Sequence, residues 1–130
     1  RIFDKTFKKF DIKKISFLSL AHGEIIELYK KSKAVLDINH PFQTGLTMRT
    51  FEALGAGRKL ITTNAQVMDY PFFDPENILV IDRNNIVLNS AFFQTNFQAI
   101  SNETLFLMSL DGWIDCLFNK EQDEYWLKND

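Results

Sequence analysis

At 130 residues the chain has the length of one compact domain, enough to close an apolar core without disulfides or a structural metal. Thirteen phenylalanines within a 45% hydrophobic content supply that core, and a formal charge of -2 leaves no basic excess, which argues against nucleic acid as the main partner. The lone Cys116 excludes a disulfide framework and a thiolate metal cluster, and no apolar run reaches the roughly 18 residues of a membrane span.

The chain starts at Arg1 and runs straight into RIFDKTFKKF, which reads as the interior of a longer protein. Phe3, Phe7 and Phe10 recur at helical spacing, and Ile15, Phe17 and Leu18 in KKISFLSL suit a short strand. GEIIELYKKSK is rich in helix formers, with Ile25, Leu28 and Tyr29 at intervals of three and four and its lysines where the negative helix end favours them. AVLDI follows as a brief continuous apolar run, then a helix over residues 46 to 56, then KLITT and NILVID as two more such runs. Between the last two runs, YPFFDPEN contains two prolines and is expected to be a loop. NNIVLNSAFF suits a short helix, and SNETLFLMSLDGWIDCLF a helix or helix pair with Asn102 as its N-cap. Residues 119–130 are polar apart from Tyr125, Trp126 and Leu127, a trio expected to pack on another surface.

Short apolar runs alternating with helices imply a parallel sheet, because a parallel pair needs a crossover and a helix is the usual one. The fold class expected is therefore α/β with a doubly wound parallel sheet. In such sheets ligands sit outside the carboxyl ends of the strands, where the loop His40 to Thr44 falls. Gly45 allows a tight turn, Thr44 or Thr47 can cap the following helix, and free N–H groups with the helix dipole then suit an anion. At 100° per residue, Met48, Phe51, Leu54 and Gly55 share one helix face, with Arg49 and Glu52 together at its edge. Arg49 near a helix N-terminus opposes the dipole unless an anion is bound, and Glu52 can accept from a pair of hydroxyls; an i,i+3 ion pair is the alternative. Asp37 inside an apolar strand suits a buried hydrogen-bonded group, and His22 and His40 are too far apart in sequence to suggest a metal pair.

KSKAVLDINHPFQTGLTMRTFEALGAGRKLITTN, continuing through NILVIDRNN, resembles the donor-binding half of GT-B glycosyltransferases, most closely the bacterial lipopolysaccharide or surface-polysaccharide biosynthesis group, over roughly residues 20–90. The resemblance implies a Rossmann-like domain, the C-terminal half of a GT-B architecture, in which residues 1–130 are one nucleotide-sugar-binding domain. It implies that Gly45, Leu46 and Thr47 line a diphosphate, that Arg49 neutralises its charge and that Glu52 binds the ribose. Many retaining members carry a second glutamate eight positions earlier, where this chain has Thr44, so His40, Gln43 and Thr44 are left as hydrogen-bonding groups toward the sugar. No metal and no cofactor are expected, the nucleotide sugar being the substrate. The implied partner is an N-terminal acceptor domain of the same protein, against which residues 119–130 would pack. The expected location is cytoplasmic, at the inner face of the membrane if the parent enzyme associates with it peripherally. Competing readings are a response-regulator receiver with Asp37 as phosphoacceptor and Thr62 or Thr63 as switch, a sugar epimerase on the same two-domain fold, and a non-catalytic Rossmann-like interaction domain. The receiver lacks its lysine, for which Arg83 is no equivalent.

Overall fold

Three apolar runs pair side by side in the computed structural model, which describes residue 16 and residues 18–118. Strands β1 (Ala34–Asp37), β2 (Lys59–Thr62) and β3 (Ile78–Val80) form a parallel sheet in the order β1-β2-β3. Val35 lies opposite Leu60, which lies opposite Ile78, so one row of side chains crosses the sheet on a single face. The helices are α1 (His22–Lys31), α2 (Met48–Gly55), α3 (Ser90–Gln94), α4 (Asn102–Leu107) and α5 (Leu110–Phe118), with a 3-10 helix at Ala65–Asp69.

Both faces of the sheet are covered, as the alternation of runs and helices predicts. On one face Val35, Leu60 and Ile78 meet Ala53 and Leu54 of α2, Val67 of the 3-10 helix and Phe72, with Tyr29 of α1 packed against them. On the other, Ile61 and Ile81 meet Phe92 of α3. The central strand β2 is covered on two sides and every one of its residues is buried, whereas edge strand β1 leaves Leu36 half-exposed. Burial of one side chain such as Leu54 contributes about 1.5–3 kcal/mol.

Helix α2 does not present the face its periodicity suggests. Met48 is 71% exposed and Gly55 is exposed, whereas Thr50, Ala53 and Leu54 are buried. Small Thr50 and Ala53 let the helix backbone come close to the sheet, and Met48 faces outward. The helix stops at a Schellman motif: Gly57 takes φ +66°, its N–H donates to Leu54 O at 3.0 Å, and Arg58 N–H donates to Ala53 O at 2.9 Å. Gly57 thus supplies the left-handed residue, and β2 begins two residues later.

Buried polar groups fix the lower connections. Asn77 exchanges two hydrogen bonds with the backbone of Gln98, at 2.9 and 2.8 Å, tying the chain after α3 to the start of β3. Lys59, almost fully buried, donates to Phe92 O at 2.7 Å and Thr95 Oγ1 at 2.5 Å, with its ammonium 4.5 Å from the Phe92 ring centre. Desolvation lowers the Lys59 pKa from its ordinary value, Lys33 acts in the same direction, and Glu76 and Asp74 oppose.

The start of α4 departs from expectation. Ser101, not Asn102, caps α4, its hydroxyl accepting from Thr104 N–H at 3.1 Å; Asn102 is the first helical residue. The Phe3, Phe7 and Phe10 helix, Ile15 and Phe17, and Tyr125, Trp126 and Leu127 lie outside the described residues, whereas residues 16 and 18–20 are described and belong to no strand, with Leu18 exposed.

Candidate functional site: the loops at the carboxyl ends of the strands

The three strands run in one direction, so the loops after Asp37, Thr62 and Val80 gather at one edge of the sheet. The first loop carries the residues singled out from sequence. His40 opens a turn in which Gln43 N–H donates to His40 O at 2.9 Å and Phe42 N–H to His40 Nδ1 at 3.3 Å. His40, Gln43 and Thr44 are all exposed there. Gly45 follows with φ +81°, a conformation that other residues adopt only at a cost.

The β2 loop grips that glycine on both sides. Gly45 N–H donates to Gln66 Oε1 at 2.8 Å, and Asn64 Nδ2 donates to Gly45 O at 2.8 Å. Asn64 is itself buried, with its backbone N–H on Thr62 Oγ1 at 3.1 Å and its Oδ1 capping the 3-10 helix through Gln66 N–H at 3.1 Å. One Gly45 N–H that the sequence leaves free for an anion is therefore held by Gln66.

Thr47 sits at the N-cap of α2, but its hydroxyl does not cap. Thr47 Oγ1 donates to Asp37 Oδ2 at 2.6 Å, and α2 has no side-chain cap hydrogen bond, while Thr50 N–H donates to Thr47 O at 3.1 Å. The buried carboxylate at the end of β1 has diverted the capping hydroxyl, which leaves the positive end of the helix open. A phosphoacceptor needs an accessible oxygen, whereas Asp37 is buried and engaged.

One turn into α2, Arg49 and Glu52 are exposed and do not pair within 4.0 Å. Tyr29 of α1 comes between them instead, its hydroxyl donating to Glu52 Oε2 at 3.3 Å. Burial pushes the Tyr29 phenol above its ordinary 10.0, the Glu52 carboxylate adds to the rise, and Arg49 opposes it. Leu46 packs half-buried against the core.

Asn39, Asn64 and Gln66 carried no role in the sequence reading, and Arg83 entered it only as no equivalent of a receiver lysine. Thr63 Oγ1 donates to Asn39 Oδ1 at 2.6 Å, and Arg83, after β3, donates through Nη2 to Asn39 O and to Thr63 Oγ1, the latter at 3.4 Å. An asparagine just after a strand was the available signal for Asn39 and Asn64, but their partners are far off in sequence. Among the described residues no group of three or more His, Cys, Asp and Glu is placed to hold a metal, and no helix is long and apolar enough to cross a membrane. A shallow hollow of about 340 Å3 on the outer side of α1, lined by Leu20, Glu24, Glu27 and Leu28 among others, shares no residue with these loops.

Compared with known proteins, residues 9–105 match the family described as glycosyl transferase-like. No curated protein and no solved structure matches the chain.

Proposed function

The chain belongs to the glycosyl transferase-like family, and from that premise we propose that it binds the nucleotide-sugar donor of a GT-B-type glycosyltransferase that builds bacterial lipopolysaccharide or another surface polysaccharide. The observation that carries this reading is the open N-terminus of α2, where the N-cap hydroxyl is turned to Asp37 and the first turn is left without a side-chain cap. A diphosphate is the ligand that completes it: its oxygens accept from the N–H groups of the first turn, with Gly45 and Thr47 lining the approach and Arg49 balancing charge. Glu52 lies five residues beyond Thr47, roughly 7.5 Å along the helix axis. That is the scale separating the ribose hydroxyls of a nucleoside diphosphate from its distal phosphate. Glu52, oriented by Tyr29 and otherwise exposed, accepts from those hydroxyls.

Transfer then proceeds by attack of an acceptor hydroxyl on the anomeric carbon, with the leaving diphosphate stabilised by the helix end and Arg49. His40, Gln43 and Thr44, exposed in the preceding turn, are placed toward the sugar in this reading. The half-exposed Leu36 on the edge strand and Leu110, Trp113 and Leu117 on α5 offer apolar surface on which an acceptor domain of the same protein packs. The enzyme would act in the cytoplasm, at the inner face of the membrane where lipid-linked acceptors are found.

An amide NMR titration of the chain with UDP, GDP, CMP and a nucleotide sugar of each kind, repeated on Glu52→Ala and Arg49→Ala, tests the reading. Saturable shifts on residues 43–52 for one nucleotide are expected. Glu52→Ala should weaken that nucleotide roughly tenfold or more, the scale of a hydrogen bond to a charged group, and Arg49→Ala should weaken diphosphates more than nucleosides. Unfolding of Glu52→Ala, or equal losses for nucleoside and diphosphate in Arg49→Ala, would sink the assignment.

A further inference from the structure

Arg83 is used by none of the roles above, yet it touches the loops that follow all three strands. It leaves β3, crosses the loop after β2 at Thr63 and ends on the Asn39 carbonyl beyond β1. Both acceptors are neutral. Among the described residues no carboxylate lies within 4.0 Å of its guanidinium, and neighbouring Asp82 spends Oδ1 on Asn84 N–H at 2.7 Å. Nη2 is committed to the two acceptors, so three of the five N–H donors of this guanidinium and its whole positive charge remain for something else.

Hydrogen bonds to a neutral carbonyl and a neutral hydroxyl leave the guanidinium charge unbalanced at an exposed loop cluster. The position matters too, because the carboxyl edge of a parallel sheet is where ligands bind, and the planar fork of arginine fits a phosphate group.

We infer that Arg83 is a second cationic anchor for the anionic part of the ligand, holding a phosphate oxygen from the β3 side while the open end of α2 holds it from the β1 side. The inference rests on the donor-site reading and deepens it by naming a residue from a third loop. It makes Arg83 a binding residue for phosphate, with the Asn39 and Thr63 bonds fixing the guanidinium before the ligand arrives, so less side-chain freedom is lost on binding.

The test is calorimetric titration of the full chain, wild type and Arg83→Gln, with inorganic pyrophosphate, with UDP, GDP and ADP, and with the matching nucleosides, alongside thermal melts. Glutamine removes the charge but is two atoms shorter, so the melts report any loss of the clip separately from the loss of charge. A loss of roughly tenfold in affinity for pyrophosphate and the preferred diphosphate, with nucleoside affinity and the melting temperature held, supports the anchor. Unchanged diphosphate affinity overturns it while leaving the donor site intact. If pyrophosphate binds and depends on Arg83 but no nucleotide binds, the anchor stands and the donor reading falls. If the wild type binds neither, both fall. Should Arg83→Gln fail to fold, the wild-type Arg83 Nε–H resonance, assigned by its disappearance in Arg83→Lys, gives an independent readout: a saturable shift with pyrophosphate supports the anchor and an unmoved resonance overturns it.

Discussion

Replacing Thr47 by valine tests whether the buried carboxylate at the end of β1 is what opens the helix. Valine has nearly the shape of threonine, so packing around the N-cap is retained and only the hydroxyl is lost. In the wild type that hydroxyl donates to Asp37 Oδ2 at 2.6 Å, and the Asp37 side chain is only 5% exposed. Removing the donor strands a buried carboxylate oxygen, at a cost of about 2–3 kcal/mol for a hydrogen bond to a charged group. No capping bond is lost with it, because Thr47 makes none. For a domain of this length each kcal/mol moves the melting temperature by roughly 4 °C, so a drop of about 8–12 °C is expected by calorimetry or circular dichroism. Thr47→Ser, which keeps the donor, should cost under about 1 kcal/mol. A valine variant within about 0.5 kcal/mol of wild type, or a serine variant as damaged as valine, would refute the reasoning.

The Schellman glycine offers a second check: Gly57→Ala should lower stability by about 1 kcal/mol or more, since φ +66° disfavours any Cβ, and denaturant unfolding with no loss would show that the α2 terminus relaxes freely. Lys59 and Tyr29 have opposite alkaline signatures. The folded pKa of Lys59 is lowered, so the folded state carries a penalty at neutral pH that is relieved as pH rises from that folded value toward the unfolded 10.5; stability should climb in this window, and Lys59→Met should flatten the climb. Tyr29 is raised, so its contribution is fully present below the unfolded 10.0 and is lost as pH rises through its folded value, a decline that Tyr29→Phe should remove. Urea melts across pH 8–11 separate the two, and a wild-type profile unchanged by either substitution would contradict both assignments.

The sequence alone determined the layering. Three short apolar runs separated by a helical segment and a loop with two prolines leave little choice but a parallel sheet, and β2 is buried from Lys59 to Thr62 because it is central and covered on both faces. Gly45 and the GAG stretch announced their turns for a local reason, since the need for positive φ is written in one residue. Glu52 and Arg49 were legible as neighbours at the edge of one helix face by helix arithmetic, and the family match over residues 9–105 agrees with the glycosyltransferase character of the stretch that carries them. What periodicity could not supply was the rotation of α2. That is set by how closely its backbone can approach the sheet, so Thr50 and Ala53 turn inward and Met48 faces out.

Only the tertiary structure decided the chemistry of the strand-end loops. Thr47 looks like an N-cap in any sequence, and it becomes a donor to Asp37 because β1 ends beside it. Gln66 takes the Gly45 N–H and Arg83 reaches Asn39 across separations of 21 and 44 residues, contacts that no local spacing encodes. The physical reason is common to all of them. Turns and periodicities are properties of neighbouring residues, whereas the carboxyl edge of a parallel sheet exists only after crossovers have brought three distant loops to the same place.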